Sequence, residues 1–229
     1  MKTIGMLGGM SWESSLEYYR LINTMVKEQL GGLHNAKSVM HTVDFAEIER
    51  CQREGNWEQA TSLLVEAAQS VERGGADFLI ICTNTMHKMA DEVQAAIGIP
   101  LLHIADATAE RIKGQGLKKV GLLATIYTME HDFYKGRLQE HGLDVLIPSP
   151  EPRHEVNRII YEELCQGQIL ESSRHFYRQV IEDLTRQGAE GIILGCTEIG
   201  LLIKQEDSSV PLFDTARLHA EKAVGAALE

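Results

Sequence analysis

The chain has 229 residues, 44% hydrophobic and 24% charged, which is ordinary for a globular protein and enough for one large α/β domain or two small ones. Its formal net charge of −11 argues against general nucleic-acid binding, and no apolar run is long enough to span a bilayer. Cys51, Cys82, Cys165 and Cys196 lie far apart with no CxxC pair, so neither a zinc site nor a disulfide framework is signalled.

The opening, Met1 to Gly5, lacks the basic and apolar regions of a signal peptide and reads directly as a strand, so a cytoplasmic location is expected. Thr3 to Leu7 is a buried strand, followed by a Gly8-Gly9-Met10 turn and a helix from Trp12 to Gln29. Lys37 to Val43 is a second strand, followed by a short helix-like segment, Asp44 to Glu47, with Gln52 and Arg53 in the loop beyond it. Trp57 to Arg73 has helical periodicity, Asp77 to Ile81 is a third strand, Met86 to Ile97 a helix, and Pro100 to Ile104 a further strand. Nearly all-apolar strands separated by helices imply parallel sheets covered on both faces.

The pattern then repeats. Val120-Gly121-Leu122-Leu123-Ala124 matches Ile4 to Gly8, and each is followed by a helix carrying aromatics. Gly75 to Asn84 matches Gly188 to Thr197 without a gap, and Ile99-Pro100-Leu101-Leu102 is echoed by Val210-Pro211-Leu212-Phe213. Three matches in the same order indicate two related halves with a cleft between them. The repeat sets Thr83 and Cys196 at equivalent strand ends, where ligands of α/β sheets bind.

Cys196 is the leading candidate base. A thiolate is the useful form, and a helix N-terminus after Gly195-Cys196-Thr197 would lower its pKa, whereas an arbitrary free cysteine is more often a buried structural one. Thr197 offers a hydroxyl and an N–H to a carboxylate. Thr83-Asn84-Thr85 is either a cradle for an α-carboxylate and amine or an ordinary helix cap, and the two are compatible. His87, one turn later, either orients a neighbour or is simply a polar helix residue. The Gly8-Gly9-Met10-Ser11 turn has neither a GxGxxG fingerprint nor a Walker lysine and suits a small ligand approached by backbone N–H groups; Trp12 beside it is expected in the core. Gln52, and Thr125 with Tyr127 and Thr128 at the end of the repeated first strand, are further candidate substrate contacts. Glu198, in the first turn of a helix, is favourable there whatever its function.

These motifs resemble the aspartate/glutamate racemase family of cofactor-independent amino-acid racemases along essentially the whole chain, nearest its enterobacterial broad-specificity branch. The resemblance rests on Ile4 to Met10, Thr83-Asn84-Thr85-Met86-His87 and Gly195-Cys196-Thr197-Glu198. It implies two similar three-layer α/β domains with parallel four-stranded sheets related by pseudo-twofold symmetry, with the active site in the cleft. The expected boundaries are 1–97 plus about 210–229 for the first domain and 98–209 for the second. It also implies a homodimer acting on a small amino acid, with no cofactor, no metal, no nucleic acid and no membrane partner. The family mechanism uses two cysteines on opposite faces of Cα, and its first motif reads Cys-Asn-Thr. Here that cysteine is replaced by Thr83, while Cys82 sits one residue earlier, where strand alternation aims it away. The resemblance therefore implies that Cys196 deprotonates L-substrates, with Thr83 on the opposite side; Met10, Gln52, Asn84, Thr85, Thr125 and Thr197, read from their positions, are the candidate substrate contacts. A hydroxyl is a poor base near neutral pH, so an L-biased site is expected.

Aspartate racemases of the family place a basic residue after the second strand and a lysine before a glycine in the second half. Those regions here read Glu47-Ile48-Glu49 and Leu164-Cys165-Gln166-Gly167, with Arg50 or Arg53 as the available substitutes, so a neutral substrate stays open beside L-Asp and L-Glu. Two other functions compete: a single-cysteine decarboxylase or isomerase of the same superfamily, recognised by CO₂ release or double-bond isomerisation, and a non-catalytic amino-acid-binding module, recognised by binding that survives loss of the thiol.

Overall fold

The computed structural model describes residues 1–229, which divide into two compact units, Met1–Ile104 with His219–Glu229, and Ala105–Leu218. In the first unit the elements are β1 (Ile4–Gly8), α1 (Trp12–Leu30), β2 (Ser38–Thr42), α2 (Phe45–Glu54), α3 (Trp57–Arg73), β3 (Phe78–Ile81), a 3-10 turn (Thr85–Met89) and α4 (Ala90–Ala95). Helix α5 (Ile104–Gly114) carries the chain into the second unit. There follow β4 (Lys119–Ala124), α6 (Ile126–Glu130), α7 (Asp132–Glu140), β5 (Asp144–Leu146), α8 (Pro150–Glu162), a 3-10 turn (Leu164–Gln166) and α9 (Glu171–Arg186). The unit closes with β6 (Gly191–Gly195), α10 (Ile199–Leu202), a 3-10 turn (Gln205–Asp207) and β7 (Leu212–Asp214), and α11 (Thr215–Leu228) returns to the first unit.

Both sheets are wholly parallel, in the orders β2-β1-β3 and β5-β4-β6-β7. In the first, strand alternation sends Leu7, Leu79 and Ile81 into one apolar cluster with Ala60, Leu64, Ala67 and Val71 of α3. Gly5 lets that helix approach, because a Cβ there would lie 2.5 Å from Val71 Cγ1. Its counterpart Gly121 would meet Leu184 of α9 at 3.0 Å, so the sequence repeat is also a packing repeat. Asp77 and Glu190, equivalent in the repeat, each accept backbone N–H bonds from the start of the central strand: Thr3 N at 2.6 Å in one unit, Lys118 N at 2.7 Å and Lys119 N at 2.9 Å in the other.

The first sheet departs from the expected four strands. Segment 100–104 contributes one parallel bridge, Leu79↔Leu101, in the register of Ile192↔Leu212. Leu79 N–H donates to Pro100 O (2.8 Å) and Leu102 N–H to Leu79 O (2.9 Å). The next pair in such a ladder needs the Leu102 carbonyl and the Ile104 N–H. Both are taken by imidazoles: His219 Nε2–H donates to Leu102 O (2.8 Å), and Ile104 N–H donates to His87 Nε2 (3.3 Å). The strand therefore stops and α5 begins at Ile104. In the second unit the ladder runs on through Phe213 and Asp214.

Three further expectations are corrected. The chain does not leave the second unit at about 210, because β7 pairs with β6 and the return falls within α11, at His219. Gln52 and Arg53 are not in a loop, because α2 runs to Glu54, with Asp44 capping Ala46 N (3.1 Å) and Gly55 in the left-handed conformation ending it. Trp12, the first residue of α1, is 63% exposed instead of core.

Candidate active site

The carboxyl end of β6 holds Cys196, Thr197 and Glu198. Gly195 before them cannot be larger, since a Cβ would fall 2.8 Å from Leu122 Cδ1 and 3.0 Å from Ala124 Cβ. Cys196 is half-buried, while Thr197 and Glu198 are buried. Cys196 Sγ–H donates to Glu198 Oε2 at 2.9 Å, and Thr197 Oγ1–H donates to the same oxygen at 2.8 Å. The expected lowering of the thiol pKa does not occur. Burial, followed by the Glu198 carboxylate, the neighbouring Cys165 and the hydrogen bond to Glu198, pushes it well above the ordinary thiol range. The Glu198 backbone N–H works the other way and is outweighed. Helix α10 is a single turn starting only at Ile199, so little dipole is available against an adjacent carboxylate. In the free protein the thiol is thus the resting form, with a proton acceptor already in contact.

Around this strand end the second unit is braced by charge. Arg174 and Arg178 of α9 grip Asp207, whose side chain is 1% exposed, and Arg174 also donates to Leu202 O at the end of α10. Glu163 accepts from Arg158 Nη2 (2.8 Å) and from Ser173 Oγ. Tyr177, fully buried, donates to Val156 O (3.3 Å), and burial above all drives its hydroxyl pKa far up. Thr125 caps α6 through Thr128 N (3.4 Å), with Thr128 Oγ1 3.2 Å away.

The carboxyl end of β3 carries Thr83, half-buried, while Cys82 is 1% exposed and burial alone pushes its thiol pKa far up. Cys82 is therefore an inert core thiol, as strand alternation implies. The carbonyls on either side of the Thr83 amide plane's flanks are held by side chains: Ser14 Oγ–H donates to Cys82 O (2.8 Å), and His87 Nδ1–H donates to Thr83 O (2.7 Å). Asn84 precedes the 3-10 turn that holds Thr85 and His87, all three buried; the turn replaces only the start of the helix expected over 86–97, which continues as α4. Gln52 Nε2–H lies 3.0 Å from Met86 Sδ, and Met86 shares the apolar cluster with Met10, so these predicted contacts gather in one place. The N–H of Gly9 is not free for a ligand, since it donates to Ser15 Oγ (2.7 Å). Gly9 itself is fixed by its turn: φ is +93°, and a Cβ would lie 2.1 Å from Val43 O. Arg50 is exposed, and Arg53 lies on the outer face of α2 paired with Glu49 at 2.9 Å, so neither is an evident clamp for a substrate carboxylate.

Sequence reasoning missed the Glu198 contact and a buried histidine group, His87, His103 and His219. No group of three or more His, Cys, Asp and Glu is disposed to hold a metal ion, and no helix is long and apolar enough to cross a membrane.

A thiol hydrogen-bonded to a carboxylate at the end of a parallel strand is chemically able to pass a proton. The chain belongs to the Asp/Glu/Hydantoin racemase family, whose sequence pattern matches residues 7–223, and it is accordingly an isomerase. A Bacillus subtilis (strain 168) broad specificity amino-acid racemase is 27% identical over 161 residues, covering 70% of this chain and 69% of that protein. Among solved structures, a Yersinia pestis protein described as a candidate Asp/Glu racemase is 57% identical over 100% of both chains, with a TM-score of 0.93. An aspartate racemase homologue from Pyrococcus horikoshii OT3 is 38% identical, also over 100% of both chains, with a TM-score of 0.88.

Proposed function

We propose that this protein is a cofactor-independent amino-acid racemase that acts on L-Asp, L-Glu or a broader set of L-amino acids, in the cytoplasm and as a homodimer. The observation that carries this reading is the 2.9 Å contact of Cys196 Sγ–H with Glu198. Glu198 takes the thiol proton, and the thiolate then removes the α-proton of an L-substrate. The resulting carbanion is reprotonated on the opposite face by the Thr83 hydroxyl or a water it holds; solvent takes the proton from Glu198 and returns one to the Thr83 side, which closes the cycle. Asn84, Thr85 and Thr197 bind the α-carboxylate and amine, with Met10, Gln52 and Thr125 as further contacts. The reading of Thr83 as partner rests on its equivalence to Cys196 in the repeat.

The test is incorporation of deuterium at Cα in deuterium oxide. Exchange from L-substrates is expected to exceed exchange from D-substrates, and Thr83→Cys to raise the D-side rate about tenfold or more. Equal rates from both enantiomers in the parent protein would overturn the directional site. Because Arg53 is turned to Glu49, L-homoserine is expected to be turned over at a rate comparable with L-Asp and L-Glu; strict preference for the two acids would contradict this. Sedimentation tests the dimer.

A further inference from the structure

We infer that His87 is a positioning residue for Thr83, held in one neutral tautomer so that it fixes the strand end on which the opposite-face donor sits. The inference rests on the role proposed for Thr83.

The hydrogen bonds determine the proton positions. Ile104 N–H can only donate, so His87 Nε2 carries no proton and Nδ1–H must be the donor to Thr83 O. At His219 the order is reversed: the Leu102 carbonyl can only accept, so Nε2–H donates to it. In the neutral ring His219 Nδ1 accepts from Tyr18 O–H at 2.9 Å. His103 packs on His87 with ring centroids 4.5 Å apart, and His219 lies 5.7 Å away on the same ring. His87 and His219 are 2% and 0% exposed, so water does not readily replace either bond.

The two imidazoles occupy the backbone groups that would otherwise extend the sheet past Leu101. Simple termination of a strand needs no connection to Thr83. Yet His87 uses its second nitrogen on the Thr83 carbonyl, in a turn whose own first backbone bond is His87 N–H to Asn84 O (3.1 Å). With Ser14 fixing Cys82 O, the peptide units either side of Thr83 are both tied down by side chains. A rigid imidazole thus sets the distance between the Thr83 carbonyl and the start of α5.

Loss of this fixture should act on the proton transfer more than on binding, because misplacement of a donor by an ångström weakens the transition state while leaving ground-state contacts. In His87→Ala, kcat for formation of the Cα-deuterated D-enantiomer from L-aspartate, L-glutamate or L-homoserine in deuterium oxide, the step that needs the Thr83 donor, is expected to fall by about tenfold to a hundredfold, with KM within about twofold. His87→Asn keeps an N–H donor near the Nδ1 position and is expected to recover most of the rate. His87→Gln, which lacks that donor but keeps the bulk, replaces the alanine variant should the latter not fold. Long-range proton–nitrogen correlation spectra of the parent protein, labelled at histidine, are expected to show His87 as the Nδ1–H tautomer and His219 as the Nε2–H tautomer. An Nε2–H tautomer or an imidazolium at His87, or a folded alanine variant with unchanged kcat, would overturn the inference. If the parent protein exchanges no α-proton with any of the three amino acids, the racemase reading fails by itself. The tautomers and the Thr83 amide shift, displaced in His87→Gln and near the parent value in His87→Asn, then still decide the positioning.

Discussion

Glu198→Gln is expected to lower α-proton exchange from L-substrates by about 10²–10⁴-fold while bringing the Cys196 thiol pKa down. The two effects have opposite signs for a reason. After burial, the Glu198 carboxylate is the largest influence holding the thiol protonated, so a neutral amide makes the thiolate easier to form. If a thiolate were all that catalysis required, the glutamine variant would be faster than the parent near neutral pH. If Glu198 is the group that accepts the Sγ proton at 2.9 Å and later releases it, the amide cannot replace it and the rate falls. Ultraviolet titration of the thiolate and deuterium incorporation, measured on the same preparation, separate these outcomes. Cys196→Ser sets the floor, since a serine hydroxyl beside the same carboxylate is a far weaker base. A glutamine variant that outpaces the parent would reduce Glu198 to an electrostatic burden on the thiol.

The repeat was legible in the sequence because apolar strands at equivalent positions carry the same constraints. The gapless match of Gly75–Asn84 with Gly188–Thr197 reappears as identical register, Leu79 on Leu101 and Ile192 on Leu212, and as paired carboxylates at Asp77 and Glu190. What stayed hidden depends on side chains that meet from distant positions. His87 and His219 end the fourth strand of the first unit, and nothing at Leu102 or Ile104 announces that their backbone groups are already engaged. In α2 the charged residues Glu47, Glu49, Arg50 and Arg53 mask a buried stripe, Ile48, Cys51 and Gln52, whose i, i+3, i+4 spacing was the available signal of a longer helix. At Cys196 the expectation of a lowered pKa invoked the helix dipole and gave no weight to a carboxylate two residues on. With α10 only four residues long, the carboxylate and burial prevail.

Asp207→Ala is expected to destabilise the protein by about 3 kcal/mol at pH 7, and Asp207→Asn by roughly half of that. Asp207 accepts from Lys204 N (2.9 Å), Arg178 Nε (2.6 Å) and Arg174 Nη1 (3.2 Å) with its side chain 1% exposed. Truncation leaves Arg178 without Asp207, while Arg174 keeps its pair with Glu171 at 3.0 Å; the two guanidiniums are 21% (Arg174) and 42% (Arg178) exposed and can be partly hydrated, which holds the loss to the lower end for a broken buried pair. The sign of the pH dependence follows from the carboxyl's shift. Burial alone would raise its pKa, but the Lys204 N–H and then the guanidiniums of Arg178 and Arg174 more than offset this, leaving it below the ordinary value of 3.8. A folded-state pKa below the unfolded one gives stability that is complete above the unfolded value and disappears as the pH falls through the folded value. Urea denaturation at pH 7 should therefore show the full gap between the parent and Asp207→Asn, and the gap should close only under acid conditions, below about 3.8. A gap that persists unchanged at lower pH would assign the effect to shape and neutral hydrogen bonding. Because Arg174 also holds Leu202 O at the end of α10, the alanine variant is expected to lose amide-exchange protection first in 199–207, directly behind the Cys196-Thr197-Glu198 turn.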